Sequence, residues 1–181
     1  MQEAEKRGLL NLKSTPDCVP YLLNEKNVRL FINHKVFNHA ELEARHEIMM
    51  EHYVKVLNIE ALTMLDMARQ DILPAVSRFV RELTDTALAK KALGGIDASY
   101  ETETAAKLSS LLADAFRKTD ALDKAMKNAS GANSSELARY FRENIFTGMN
   151  ALRSVVDEME SLTAASAWPY PSYGDMLFSV K

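Results

Sequence analysis

An intrachain disulfide is excluded, because the 181 residues hold a single cysteine, Cys18. That cysteine usage fits a reducing compartment, and the cytoplasm is the expected location. No run of about 18 apolar residues occurs, so no membrane-spanning helix and no membrane partner are expected. The opening MQEAEKRGLL is charged and lacks the apolar centre and small-residue cleavage site of an export signal. Neither sign of charge prevails. Lys and Arg total 22 against 25 Asp and Glu, a formal net charge of −3, and the two signs are interleaved, which argues against nucleic acid as a main partner. Glycines and prolines are scarce, 6 and 5, and most stand where helical patterns stop. The patterns G-x-x-x-x-G-K, G-x-G-x-x-G and G-x-S-x-G are all missing, which removes the common phosphate-cradling and nucleophile signatures.

What the sequence does have is helical periodicity. From Glu41 to Phe79, the apolar residues Ile48, Met49, Tyr53, Val56, Leu57, Ile59, Leu62, Met64, Leu65 and Met67 recur at three- and four-residue steps. The stripe is too wide for one neighbour, so at least two partner helices are expected to cover it. Asn38 and Glu41 have the form of a capping box at its start. Pro74 predicts a kink, with helix resuming to about Leu93 and stopping at Gly94-Gly95. Asp97 and Ser99 can cap the next helix, whose stripe is Leu108, Leu111, Leu112, Ala115, Leu122 and Met126 and which ends in Asn128–Gly131. Asn133 and Glu136 form a second capping box. They open a final helix through Tyr140, Phe141, Ile145, Met149, Leu152 and Met159, expected to end by Ala167, ahead of Pro169 and Pro171.

Asn24 can cap a short helix over Glu25 to Asn33. The expectation is an all-α fold: an antiparallel bundle of three long helices, the first kinked at a proline, with a short N-terminal helix and an extended aromatic C-terminal tail. Residues 1–23 read as a lead-in or linker, 24–167 as the bundle and 168–181 as the tail, one domain for the length.

Few residues offer chemistry. Glu43 and His46 make an E-x-x-H, a spacing that carboxylate-bridged di-metal bundles use twice; His34, His39 and His52 lack a Glu three residues before them. His39, Glu43 and His46 could instead share a helical face and hold one Zn²⁺ with a fourth ligand from elsewhere, but the ligand count favours solvated helix-start residues. Cys18 lacks a local motif and reads as a small buried or half-buried residue. Met49, Met50, Met64 and Met67 fit core positions better than an adaptable peptide groove. No catalytic, cofactor-binding or metal residue is assigned. The exit segment AWPYPSYGDMLF differs in kind, holding the only Trp, two Tyr and two Pro. Trp168, Tyr170, Tyr173 and Phe178 are therefore candidate interface residues, docking either on this bundle or on a neighbouring domain or subunit.

Three phrases, LKSTPDCVPYLLNEKNVRLF, HEIMMEHYVKVLNIEALTMLDMARQDILPAV and WPYPSYGDMLFSV, make the sequence resemble the C-terminal region of type III glutamine synthetases. The likeness spans nearly the whole chain; residues 85 to 160 match by pattern more than by wording. It implies a cytoplasmic ligase that joins ammonia to glutamate with ATP and Mg²⁺ or Mn²⁺, working as homo-oligomeric stacked hexameric rings. This chain then corresponds to the last quarter, a non-catalytic helical module for packing, assembly or regulation. It follows an upstream catalytic domain, and Met1 is an introduced start. A free-standing helical interaction protein of the same ancestry is the alternative, and a metal-carboxylate oxidoreductase bundle a third reading.

Overall fold

The structure, a computed structural model, describes residues 3, 6–171 and 173–178, with the backbone alone at Tyr173. Among these residues there is no β-strand. In chain order the helices are α1 (Thr15–Cys18), a 3₁₀ turn (Val19–Leu23), α2 (Glu25–Asn33), α3 (His39–Asp66), a π-helical turn (Met67–Ile72) and α4 (Leu73–Leu93). They continue with α5 (Ser99–Lys127), α6 (Ser134–Tyr140), a second π-helical turn (Phe141–Phe146), α7 (Thr147–Leu162) and α8 (Tyr173–Phe178). The all-α expectation of long helices with a short N-terminal one holds. The chain groups into two compact units, residues 1–60 with 126–147 and residues 61–125 with 148–181, divided within helices and not at linkers.

In the first unit the helix starts are set by side chains. Asn24 Oδ1 accepts from the Lys26 N–H at 3.1 Å to open α2. The capping box at α3 is complete: Asn38 Oδ1 accepts from the Glu41 N–H at 2.9 Å, and Glu41 Oε2 accepts from the Asn38 N–H at 2.8 Å. At α6 the box is shifted by one residue. Asn133 Oδ1 accepts from the Glu136 N–H at 2.9 Å, but Glu136 reaches back to the Ala132 N–H at 3.1 Å. The core holds Val19 of the 3₁₀ turn, Met50 of α3 and Ala138 of α6, with Tyr53 and Val54 packed on it. Removing a side chain such as Met50 from water is worth about 1.5–3 kcal/mol.

In the second unit, buried residues run along α4 (Val76, Phe79, Leu83), α5 (Ala105, Leu108, Ala115, Leu122) and α7 (Leu152, Val155, Met159). Ion pairs fix the directions. Lys90 near the end of α4 meets Glu101 at the start of α5 at 2.6 Å, and Arg69 of the π turn before α4 meets Asp123 near the end of α5 at 2.8 Å. Lys107 early in α5 meets Glu158 late in α7 at 2.9 Å. Neighbouring helices of this unit therefore run antiparallel, as short loops require. Gly94 and Gly95, both at positive φ, make the reversal after α4.

Two details differ from the sequence reading, and a third refines it. Pro74 does not interrupt an α-helix: the π turn Met67–Ile72 precedes it, and Pro74 stands in the first turn of α4, where a missing N–H costs least. The final helix stops at Leu162, within the expected bound of Ala167. Thr163 donates its hydroxyl to the Met159 carbonyl, and a separate turn follows in which the Ala167 and Trp168 N–H groups share the Ala164 carbonyl. The tail is not extended throughout: Pro169 and Tyr170 form a bend, and Tyr173–Phe178 winds into α8, with Asp175 in its first turn.

Candidate interaction surfaces

The exit segment splits into an anchored half and an open half. Trp168 and Tyr170 are half-buried. The Tyr170 hydroxyl donates to Asp71 Oδ2 at 2.6 Å, and burial together with that carboxylate pushes its pKa up to about 12. Asp71 belongs to the π turn, and its neighbour Arg69 reaches Asp123. One irregular turn thus holds both the tail and α5 within the second unit. Beyond Pro171 the situation reverses: Met176, Leu177 and Phe178 are exposed, Phe178 at 84%. The Tyr173 side chain lies outside the described residues.

The long helix is also open where the sequence suggested cover. Its buried line is Leu42, Met50, Leu57 and, further on, Ala61 and Leu65. Ile48, Met49, Val56, Ile59 and Leu62, all expected inside, are exposed. A helix this apolar needs neighbours on two sides, and the line facing away from Met50 and Leu57 stays exposed. Met49 joins two shallow apolar depressions of the first unit, one bordered by Thr15, Tyr53 and Val56, the other by Tyr21, Leu22 and Leu30.

The residues weighed for metal chemistry are not assembled. His39 Nδ1 lies 3.4 Å from Glu43 Oε2 on an exposed helix start, and among the described residues no group of three His, Cys, Asp or Glu could hold a metal ion. Cys18 is exposed, not buried, because Pro16 and Val19 take the inward positions around it; its thiol points at the Leu12 carbonyl at 3.7 Å. Met50 is fully buried and Met64 and Met67 are half-buried, as core residues should be, whereas Met49 is not.

The sequence reading missed Glu101. It is 7% exposed, its Oε1 accepts from Lys90 Nζ, and its Oε2 has no hydrogen-bond partner. The hydrogen bond from Lys90 holds its carboxyl below the ordinary range. A Glu in the first turn of a helix gives no sequence signal of burial.

Comparison with known proteins decides the family. The family model for the glutamine synthetase C-terminal domain matches residues 1–91, just over half of the 181. The chain belongs to the glutamine synthetase C-terminal domain family. A glutamine synthetase of Butyrivibrio fibrisolvens is 34% identical over 100% of this chain and 26% of its own length. The type-3 glutamine synthetase of Dictyostelium discoideum is 30% identical over 97% of this chain and 25% of its own, and a glutamine synthetase of Bacteroides fragilis 24% identical over 98% and 25%. This glutamine synthetase C-terminal domain therefore spans about a quarter of the length of those relatives. The family model covers α1 to α3 and nearly all of α4, hence the open face of α3; the W-P-Y-P exit is reached by the relatives alone. No helix among the described residues is long and apolar enough to cross a membrane.

Proposed function

We propose that this chain is a non-catalytic helical module of a longer glutamine synthetase, serving packing and assembly of an enzyme that ligates ammonia to glutamate at the expense of ATP. The observation that carries the reading is the pairing of a whole-chain match with only about a quarter of the relatives' length. Two further features support it. The sequence holds no phosphate-cradling motif, and the titratable groups are spent on helix caps and inter-helix pairs, with no cluster that could bind metal among the described residues. ATP and Mg²⁺ or Mn²⁺ would be held by a catalytic domain upstream in the same polypeptide.

The parent is a cytoplasmic homo-oligomer of stacked hexameric rings in this proposal, and the exit segment is one of its assembly contacts. Tyr170 fixes the segment to its own unit, so that α8 can offer Met176, Leu177 and Phe178 with little ordering cost. The direct test is the reading frame upstream of residue 1. A continuous frame encoding a further glutamine synthetase segment is expected; a stop codon and a promoter immediately upstream would favour the free-standing interaction protein.

A further inference from the structure

An exposed apolar face with one defined wall allows the surface that receives the rest of the polypeptide to be named. At 100° per residue, Ile48, Met49, Val56 and Ile59 share an arc of about 100° on α3, on the side away from Met50 and Leu57. Their exposures are 65%, 47%, 37% and 64%. Met49 and Val56 of this arc meet a facing wall made by α1, the 3₁₀ turn and α2, through Thr15, Tyr21, Leu22 and the 54% exposed Leu30, while Ile48 and Ile59 extend the exposed face beyond it. The floor already excludes water: Val19 and Met50 are buried beneath it. It is a preformed groove between two helical walls, apolar inside, with charges of both signs beside it in Glu51, Lys55 and Glu60. Such a rim gives no attraction to an anionic lipid surface, which a basic rim would.

We propose that this groove is the seat of the catalytic polypeptide that precedes residue 1, docked in the same molecule. The inference rests on the module reading above, and two observations select the occupant. The relatives are about four times as long as this chain, so roughly three quarters of such a protein is available to cover the face. One wall of the groove begins at Thr15, 14 residues from residue 1, and a chain of that length spans at most about 50 Å. A preceding domain is therefore tethered beside the groove at high effective concentration, which a second copy or a free partner is not. The face also accounts for the width of the α3 stripe: the second neighbour that the stripe calls for is supplied from outside these 181 residues. This surface belongs to the first unit, whereas the tail and its apolar residues belong to the second.

The test is a photocrosslinking amino acid placed at Met49 in the full-length parent, with a second variant carrying it at Phe178 and a mixture of light and heavy isotope-labelled copies to separate links within a polypeptide from links between copies. Position 49 is expected to link to peptides preceding residue 1 of its own polypeptide, and position 178 to another copy. Links from position 49 confined to residues 1–181, links only to another copy, or no links overturn the proposal. A second measurement guards against misfolding. M49D/I59D should shift the melting temperature of the 181-residue chain by less than about 2 °C, as exposed substitutions do, while lowering that of the parent by more than about 5 °C. Equal shifts in both, or a large drop in the isolated chain, also overturn it. If no reading frame precedes residue 1, the module reading fails; if a parent exists and position 49 links elsewhere, only the docking face fails.

Discussion

The Tyr170 hydroxyl donates to Asp71 Oδ2 at 2.6 Å, tying the segment after α7 to the π turn 99 residues earlier in the chain. Tyr170→Phe removes one hydrogen bond to a charged acceptor from a half-buried site, and a loss of about 1 kcal/mol is expected, or about 2–4 °C in melting temperature. The pH dependence has a definite sign. The folded pKa, about 12, lies above the ordinary 10, so the stability this group contributes is fully present below pH 10 and is lost as pH rises from 10 to 12. A phenolate titration by ultraviolet absorbance should show a late-ionising component that shrinks by one tyrosine in Tyr170→Phe, while the Tyr53 phenol, also pushed up by burial, is unchanged.

The Lys90–Glu101 pair predicts a different pattern. Lys90→Met leaves a buried carboxylate without its cationic partner, so it should destabilise more than Glu101→Gln, and Lys90→Met combined with Glu101→Leu should recover much of the loss. Glu101 has a lowered folded pKa, so its contribution is present above its unfolded value and is lost as pH falls through the folded one. Thermal melts between pH 7 and pH 3 check both statements; a double variant no better than Lys90→Met would contradict the first.

Gly131 carries a steric prediction. A Cβ there would lie 2.6 Å from the backbone nitrogen and 2.9 Å from the Cα of Leu137, atoms of α6 that have no room to give. Gly131→Ala should cost about 1–3 kcal/mol, as overpacking does. Denaturant unfolding measures it, with Gly95→Ala as the comparison, where a Cβ meets no atom but the backbone is at φ 76°.

Much of the fold was legible because helix starts are local events. Asn24, Asn38 and Asn133 announce their helices through bonds to residues two or three positions on, and Gly94-Gly95 marks its reversal by backbone freedom alone. The π turns were less legible. Pro74 marked the neighbourhood of the first one only as a kink, and Phe141–Phe146, with Phe141 and Ile145 buried, contains neither proline nor glycine to mark it. Long-range pairs left no trace: nothing near Asp71 anticipates Tyr170, and nothing near Lys90 marks Glu101 as buried. The open face of α3 was misread for an instructive reason. Periodicity reports which residues seek cover, and Ile48, Met49 and Ile59 do so, but it does not say whether the same chain supplies it.

The two halves of the exit segment should respond differently to substitution. Met176→Ser, Leu177→Ser and Phe178→Ser remove exposed side chains, so the isolated chain should melt within about 2 °C of the unsubstituted protein. Truncation after Ala167 removes Trp168 and Tyr170 as well and should lower the melting temperature by more. In the full-length parent, Phe178→Ala is expected to weaken assembly by about 1–3 kcal/mol, the range of a buried interface anchor, which sedimentation would register as smaller particles at low concentration.

The claim that this domain is non-catalytic is tested most directly by calorimetric titration of the purified 181-residue chain with Mg-ATP, in the absence and presence of glutamate. No saturable heat is expected up to millimolar nucleotide, because the sequence lacks a loop of backbone N–H groups to cradle phosphate. Saturable binding at micromolar nucleotide, with or without glutamate, would contradict the account.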